Sequence, residues 1–226
     1  MTERVEETWP GEPELEDDRE QEAEAEPAEE EHDEAEEVEE PEEVPAEEDE
    51  LPRLRTPGEH AAGELNVPPG YNLVAGEPSG GRRAVGVVVA RFNGGITNRL
   101  LEAAFDELEH AGVARETVTV VPVPGAFELP LAAMALAKTR RFACVVALGC
   151  VIRGETPHFE YVASEAASGL QLAALETGVP VAFGVLTVES IEQAAARVGK
   201  GAEAARTALE MADAFAQLRA SATAPR

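Results

Sequence analysis

The architecture of this chain is clearest in one stretch: Gly149-Cys150-Val151-Ile152-Arg153-Gly154-Glu155-Thr156-Pro157-His158-Phe159-Glu160-Tyr161. The apolar run 142–151 leads into it, and such a short run, rich in Val and Ala, indicates a strand buried on both faces. Residues 163–176 after it are rich in Ala and Leu, which favours a helix. A turn separates the two, and we expect Thr156 to cap the helix and Pro157 to take its first position. In a parallel α/β sheet such a corner lies at the carboxyl end of the strand, where ligands bind.

Short apolar strands alternate with helices along the chain from residue 84. The strands are predicted at 84–90, 117–123, 142–151 and 181–186, and the helices at 96–111, 127–137, 159–177, 191–198 and 201–218. This alternation predicts a parallel sheet covered by helices on both faces. With right-handed crossovers, the fold class is α/β, a flavodoxin-like three-layer α/β/α sandwich. Residues 71–74 are a further short strand candidate, where we expect order to begin.

The charge of the chain is concentrated at its N-terminus. Of a formal net charge of −27 over 226 residues, −25 falls within residues 1–50. Residues 1–66 are dominated by Glu, Ala and Pro and lack apolar periodicity, which predicts a disordered acidic extension and linker before a folded domain at 67–226. A segment so acidic would attract a basic partner and repel nucleic acid.

The sequence does not indicate export or a membrane. It has no signal peptide and no apolar run of spanning length, which predicts a cytoplasmic protein without a membrane partner. Cys144 and Cys150 fall in one predicted strand, about 20 Å apart at a rise of about 3.3 Å per residue, too far for a disulfide. We expect both thiols to be reduced and buried, and we expect no metal site.

Aromatic residues and one histidine follow the predicted strands. Phe92, Phe127, His158 and Phe183 would lie near one rim of the sheet, where rings could stack on a flat heterocycle. Each also has an ordinary explanation, because a Phe in a turn or a strand usually packs and a lone His usually lies on the surface. No glycine pattern matches a dinucleotide fingerprint or a phosphate loop. The residues alone predict a rim site for a planar ligand, with a helix start suited to an anion such as phosphate.

Five motifs extend this interpretation, because in order and spacing they resemble lumazine synthase. They are Arg91-Phe92-Asn93, Val123-Pro124-Gly125-Ala126-Phe127-Glu128-Leu129-Pro130, the stretch 149–161, Ala182-Phe183-Gly184-Val185-Leu186-Thr187, and Glu189-Ser190-Ile191-Glu192-Gln193-Ala194. The resemblance runs from about residue 71 to about residue 218 and makes 67–226 a lumazine-synthase-like domain.

The resemblance implies a condensation in riboflavin biosynthesis. That family joins 5-amino-6-ribitylamino-2,4-pyrimidinedione to 3,4-dihydroxy-2-butanone 4-phosphate, giving 6,7-dimethyl-8-ribityllumazine with loss of phosphate and water. It uses neither a metal nor an organic cofactor. Most of the acceleration would come from holding two reactants in register.

The resemblance also implies a role for each site residue. Phe92 would stack on the pyrimidine, and His158 would move protons, because an imidazole exchanges them readily near neutral pH. The other residues of the same corners would contact substrate: Ala126, Phe127 and Glu128 at the ring and the ribityl chain, Cys150, Val151 and Ile152 through backbone at the pyrimidine edge, and Glu155 and Thr156 at the phosphate.

Further implied residues act across a subunit boundary. Phe183 would reach into the site of the next subunit, and Arg197 would pair with the phosphate there, unless it forms a structural salt bridge. Lys200 resembles the end of a substrate-binding loop that is shorter here than in the family. The family forms pentamers, sometimes built into icosahedral shells, in which residues 71–75 would join the sheet of the adjacent subunit.

Two alternatives remain open at this point. One is a shell-forming structural relative with weakened catalysis, which the short loop favours. The other is a flavin- or lumazine-binding module on the same fold.

Overall fold

The computed structural model describes residues 67–223, and the predicted acidic extension and linker at 1–66 lies outside them, as do residues 224–226. The strands are β1 (Val85–Ala90), β2 (Val118–Val123), β3 (Cys144–Ile152) and β4 (Val181–Val188). The helices are α1 (Gly94–His110), α2 (Leu129–Lys138), α3 (His158–Thr177), α4 (Ile191–Ala195) and α5 (Lys200–Thr223). Short 3₁₀ turns lie at Arg115–Thr117 and Ala126–Glu128.

The four strands form one parallel sheet in the order β2-β1-β3-β4. This confirms the predicted α/β class and the flavodoxin-like topology. β1 and the first eight residues of β3 are buried, as expected for central strands with helices on both faces. One apolar layer packs α2 and α3 against the sheet, around Leu129, Ala133 and Leu170. The other packs α1 and α5, around Leu108, Ala205 and Leu209.

Glycines end two of the helices where the sequence predicts it. Gly112 follows α1 with φ +84°, and Gly178 follows α3 with φ +65°. Both values fall in the left-handed region, which a residue without Cβ adopts at little cost. Cys144 and Cys150 are buried free thiols, also as predicted. Within residues 67–223, no helix is both long enough and apolar enough to cross a membrane.

The start of α3 corrects one prediction. The helix begins at His158, so Pro157 is the N-cap residue rather than the first helical residue. The carbonyl of Pro157 accepts a hydrogen bond from the Glu160 N–H at 2.9 Å. Thr156 lies one residue too early to cap the helix, and no side-chain cap is present.

Other boundaries also differ from the predictions. α4 ends at Ala195 rather than at 198, and α5 begins directly at Lys200 and runs past 218. The segment predicted as a helix from 127 opens with the Ala126–Glu128 turn. Residues 71–75 form no strand with the sheet of their own chain. Their pairing with an adjacent subunit stays a prediction.

Candidate active site

A cavity of about 480 Å³ lies at the carboxyl ends of β1, β2 and β3. Eight residues predicted from the sequence line it: Phe92, Ala126, Phe127, Glu128, Cys150, Val151, Ile152 and His158. They come from three separate corners, and the parallel sheet brings them together because it places all carboxyl ends at one edge.

The first corner presents the ring of Phe92 to solvent. The N–H groups of Arg91 and Phe92 donate to the carbonyls of Val123 and Pro124, which continues the β1–β2 pairing beyond the strands. Asn93 then takes a left-handed conformation, with φ 58° and ψ 42°, and the chain turns into α1. Phe92 is left 70% exposed beside the cavity, available for stacking on a ligand.

Asn93 is a cavity residue whose role the sequence alone did not predict. Its side-chain Nδ2 donates to the carbonyl of Cys150 at 2.9 Å. Its own carbonyl accepts from the N–H groups of Ile96 and Thr97 in the first turn of α1. Asn93 therefore joins the first corner to the end of β3. Asn is among the few non-glycine residues that adopt this left-handed conformation readily, which is a signal that the sequence does offer.

The second corner carries an aromatic ring and a carboxylate. Ala126 is buried, whereas Phe127 is 57% exposed beside the cavity. An oxygen of the Glu128 carboxylate, Oε2, accepts from the Gly125 N–H at 2.9 Å. This bond orients Glu128 and leaves its second oxygen able to accept from a ligand hydroxyl.

The third corner offers backbone groups. The pairing of β3 with β1 ends at Val89 and Leu148, whereas the pairing of β3 with β4 continues to Ile152 and Val188. One backbone edge of residues 149–152 therefore extends past its neighbouring strand, where the Cys150 carbonyl accepts from Asn93. Backbone donors and acceptors at such an edge can recognise the polar rim of a heterocycle.

The thiol of Cys150 does not contribute a nucleophile. Its side chain packs in an apolar cluster with Ile96, Leu100 and Leu186. Burial raises the pKa of this thiol, so it stays protonated at neutral pH. Burial raises the pKa of Cys144 to about 12. Cys150 lines the cavity, and its backbone contact with a ligand stays a prediction.

His158 opens α3 and reaches the cavity from the third corner. Its side chain is exposed, and among the described residues no hydrogen bond or ion pair engages its ring. Three further α3 residues line the cavity and were not predicted: Phe159, Tyr161 and Val162. Tyr161 and Val162 follow His158 at helical spacings of three and four, so the pattern of α3 contained a signal for them.

Five predicted residues do not line this cavity. Glu155 and Thr156 lie in the exposed segment just before α3. Phe183 lies beside Ala147 in the sheet register, about 10 Å along the strand from Cys150 at a rise of about 3.3 Å per residue, and is 48% exposed. Arg197 donates from Nη1 to the Gln193 carbonyl at 2.9 Å, and the Lys200 Nζ lies 2.6 Å from Glu203 Oε2.

Comparison with known proteins identifies the group to which these features belong. Residues 82–216 match the family model of 6,7-dimethyl-8-ribityllumazine synthase. Proteins of that name from Yersinia pestis (strain Pestoides F) and Yersinia pseudotuberculosis serotype O:1b (strain IP 31758) are each 55% identical to the chain over 146 residues. These alignments cover 62% of this chain and 94% of each relative. Since the family match spans every corner of the cavity, the chain belongs to the 6,7-dimethyl-8-ribityllumazine synthase family.

Proposed function

We propose that this chain, a riboflavin-biosynthesis transferase, condenses 5-amino-6-ribitylamino-2,4-pyrimidinedione with 3,4-dihydroxy-2-butanone 4-phosphate to form 6,7-dimethyl-8-ribityllumazine. The observation that carries the proposal is the meeting of eight motif residues from three corners around one cavity. Family membership supplies the reaction. The amine attacks the ketone, an imine forms with loss of one water, phosphate leaves, and the ring closes with loss of a second water.

The pyrimidine would bind in the cavity between the first and third corners. Phe92 would stack on its ring, and the backbone of Cys150, Val151 and Ile152 would hydrogen-bond its polar edge. Ala126, Phe127 and Glu128 would line the ribityl pocket, with the second oxygen of Glu128 accepting from ribityl hydroxyls. The exposed ring of Phe92 and the edge of β3 that extends past β1 support this arrangement.

The phosphate of the second substrate would bind beside the start of α3. Backbone N–H groups of Glu155 and Thr156 and the Thr156 hydroxyl would donate to it there, where the free N–H groups and dipole of a 20-residue helix favour an anion. His158, at the helix start, would then shuttle protons for imine formation and phosphate loss. The absence of a described protein partner for its ring supports this role, since the ring remains free to meet substrate.

Neighbouring subunits would complete the site. Phe183 lies too far along β4 to reach the cavity of its own chain, which favours a role in the next site. Arg197, and Lys200 with it, would approach the neighbour's phosphate. A pentamer, alone or within an icosahedral shell, would provide these contacts. Exposed apolar side chains at Tyr71, Leu73 and Leu131 are of the kind that oligomer interfaces cover.

The test is turnover by the purified chain. Mixed with both substrates, it should form the lumazine, seen by its fluorescence, and release one inorganic phosphate per product. Phe92→Ala should raise the KM for the pyrimidine through lost stacking. A folded chain that forms no product would contradict the proposal.

The shell-forming relative is the second candidate, and one observation favours it. Arg197 and Lys200 both have partners within their own chain, and the loop between them is short. Assembly without turnover would support it. Tight flavin binding without turnover would instead support a binding module.

A further inference from the structure

Arg153 connects the corner that follows β3 to the corner that follows β4. It is the first residue after β3, and its Nε lies 2.5 Å from Oε2 of Glu189, the first residue after β4. Its backbone N–H donates to the Val188 carbonyl at 2.9 Å, which extends the β3–β4 pairing by one residue. The ends of β3 and β4 are thus joined through both backbone and side chain.

The same guanidinium also contacts α3. Its Cζ lies 4.3 Å from the ring centroid of Phe159, within the range of a cation–π interaction. Phe159 lines the cavity and directly follows His158. Arg153 therefore links the strand ends to the first turn of the helix that carries the imidazole.

The contacts continue on the other side into α4. The Glu189 N–H donates to the side-chain Oε1 of Gln193 at 3.2 Å, and the Gln193 carbonyl accepts from Arg197. A continuous set of contacts thus runs from Phe159 through Arg153, Glu189 and Gln193 to Arg197. These contacts join the start of α3, at the site of this chain, to Arg197, which we propose serves the site of a neighbouring subunit.

Few other contacts hold this corner. Residues 153–158 are all exposed, and a side chain at Gly154 would meet nothing within 4 Å. Among the described residues, no hydrogen bond involves the side chain of Glu155 or Thr156. The position of the segment relative to the cavity therefore depends largely on the residues at its two ends, Arg153 and the start of α3.

We propose that Arg153 is a positioning residue, which with Glu189 and Phe159 fixes the 153–158 segment and His158 relative to the bound pyrimidine. This inference rests on the proposed function. The guanidinium is already paired with a carboxylate, so it adds little net positive charge for the substrate phosphate. Both partners are about half exposed, and exposed pairs contribute little to global stability. The Arg153–Glu189 pair therefore acts on the geometry of the site rather than on global stability.

The first test is kinetic. Arg153→Ala should lower kcat roughly tenfold through misplacement of His158, while the KM for the pyrimidine changes little. Glu189→Gln should lower kcat in the same sense. The double variant should be no slower than Arg153→Ala, because both changes remove one interaction. Arg153→Lys should recover part of the loss, since it keeps the charge but not the planar fork.

A matched control pair lies away from the cavity. Arg115 Nε and Glu109 Oε1 are also 2.5 Å apart, and Arg115→Ala should leave kcat unchanged. An unchanged kcat in Arg153→Ala and Glu189→Gln would overturn the proposal. So would a raised KM for the butanone phosphate in Arg153→Ala together with a lowered one in Glu189→Gln, because that pattern indicates direct phosphate contact.

A second measurement does not depend on activity. Amide hydrogen exchange in residues 153–160 should be faster in Arg153→Ala and Glu189→Gln than in the unsubstituted chain, and unchanged in Arg115→Ala. Unchanged exchange would overturn the positioning role even for a chain without turnover. Absence of product from the unsubstituted chain would contradict the proposed function alone. Should Arg153→Ala fail to fold, Arg153→Lys and Glu189→Gln provide both readouts.

Discussion

At the scale of single residues, His158 is the group whose chemistry can be tested most directly. His158→Ala should lower kcat by about 10²-fold or less, because in the proposed reaction positioning supplies much of the acceleration and the imidazole only assists proton transfer. Substrate affinity should change little. Steady-state kinetics with lumazine fluorescence measures both quantities.

The control for this prediction is another histidine. His110 is exposed at the C-terminal end of α1 and does not line the cavity. His110→Ala should match the unsubstituted chain. If His158→Ala also turned over at the full rate, His158 would have no catalytic role.

Substitution of Arg197 tests whether this residue recognises the phosphate or has a structural role. Arg197→Ala should raise the KM for the butanone phosphate far more than the KM for the pyrimidine, because only the former carries an anion that a guanidinium can pair with. Initial rates with each substrate varied in turn give the two constants. Arg141→Ala, an exposed arginine just before β3, should change neither. Equal effects on both KM values would mean that Arg197 acts structurally, through contacts such as its bond to the Gln193 carbonyl.

At the scale of elements, the start of α5 is packed directly against α1. A Cβ on Gly201 would lie 2.0 Å from the carbonyl oxygen of Leu100, which is backbone and cannot swing aside. Gly201→Ala should therefore force the two helices apart and lower the free energy of unfolding by about 1–3 kcal/mol, as overpacking usually does. Gly199→Ala is the control, since nothing lies within 4 Å of its Cβ. Urea unfolding of both variants measures the difference, and equal stabilities would contradict this view of the α1–α5 contact.

The connection between α4 and α5 is short, and it leads directly into the α1–α5 contact. α4 ends at Ala195, and Lys200 already begins α5. Only four residues join the two helices, so Arg197 lies close to both. In our proposal, the reach of Arg197 toward a neighbouring subunit's site is therefore limited by where α5 packs.

At the scale of the whole molecule, the acidic segment is separable from the site in our proposal. Residues 1–50 carry −25 of the net charge, whereas every cavity residue lies between 92 and 162. A chain that begins at Asn66 should keep its turnover and its sedimentation class. It should lose binding to polycations, which in the full chain should weaken as salt shortens the Debye length to about 3 Å at 1 M. Enzyme assay, sedimentation and a polycation-binding titration check the three parts. Loss of turnover or of assembly on truncation would show that the segment belongs to the folded enzyme.

Local sequence pattern was sufficient to predict the order of strands and helices along the chain. Strands such as 84–90 and 142–151 are apolar throughout because both faces are buried, and helices end where Gly112 and Gly178 permit a positive φ. Alternation of such elements leaves few arrangements other than a parallel sheet, which brings the corners after the strands to one edge. The cavity and eight of its residues follow from that logic together with the family motifs.

Tertiary packing alone set the contacts between corners. Asn93 bonds to the Cys150 carbonyl 57 positions away, and Arg153 pairs with Glu189, which directly follows the adjacent strand β4. Each contact depends on which strands are neighbours and in what register, and local sequence patterns do not encode strand order. Distant contacts also set the ends of helices. The N-cap of α3 is Pro157 rather than the predicted Thr156, and α4 ends at Ala195 rather than at 198. A helix ends where competing contacts become more favourable, and those contacts come from distant parts of the chain.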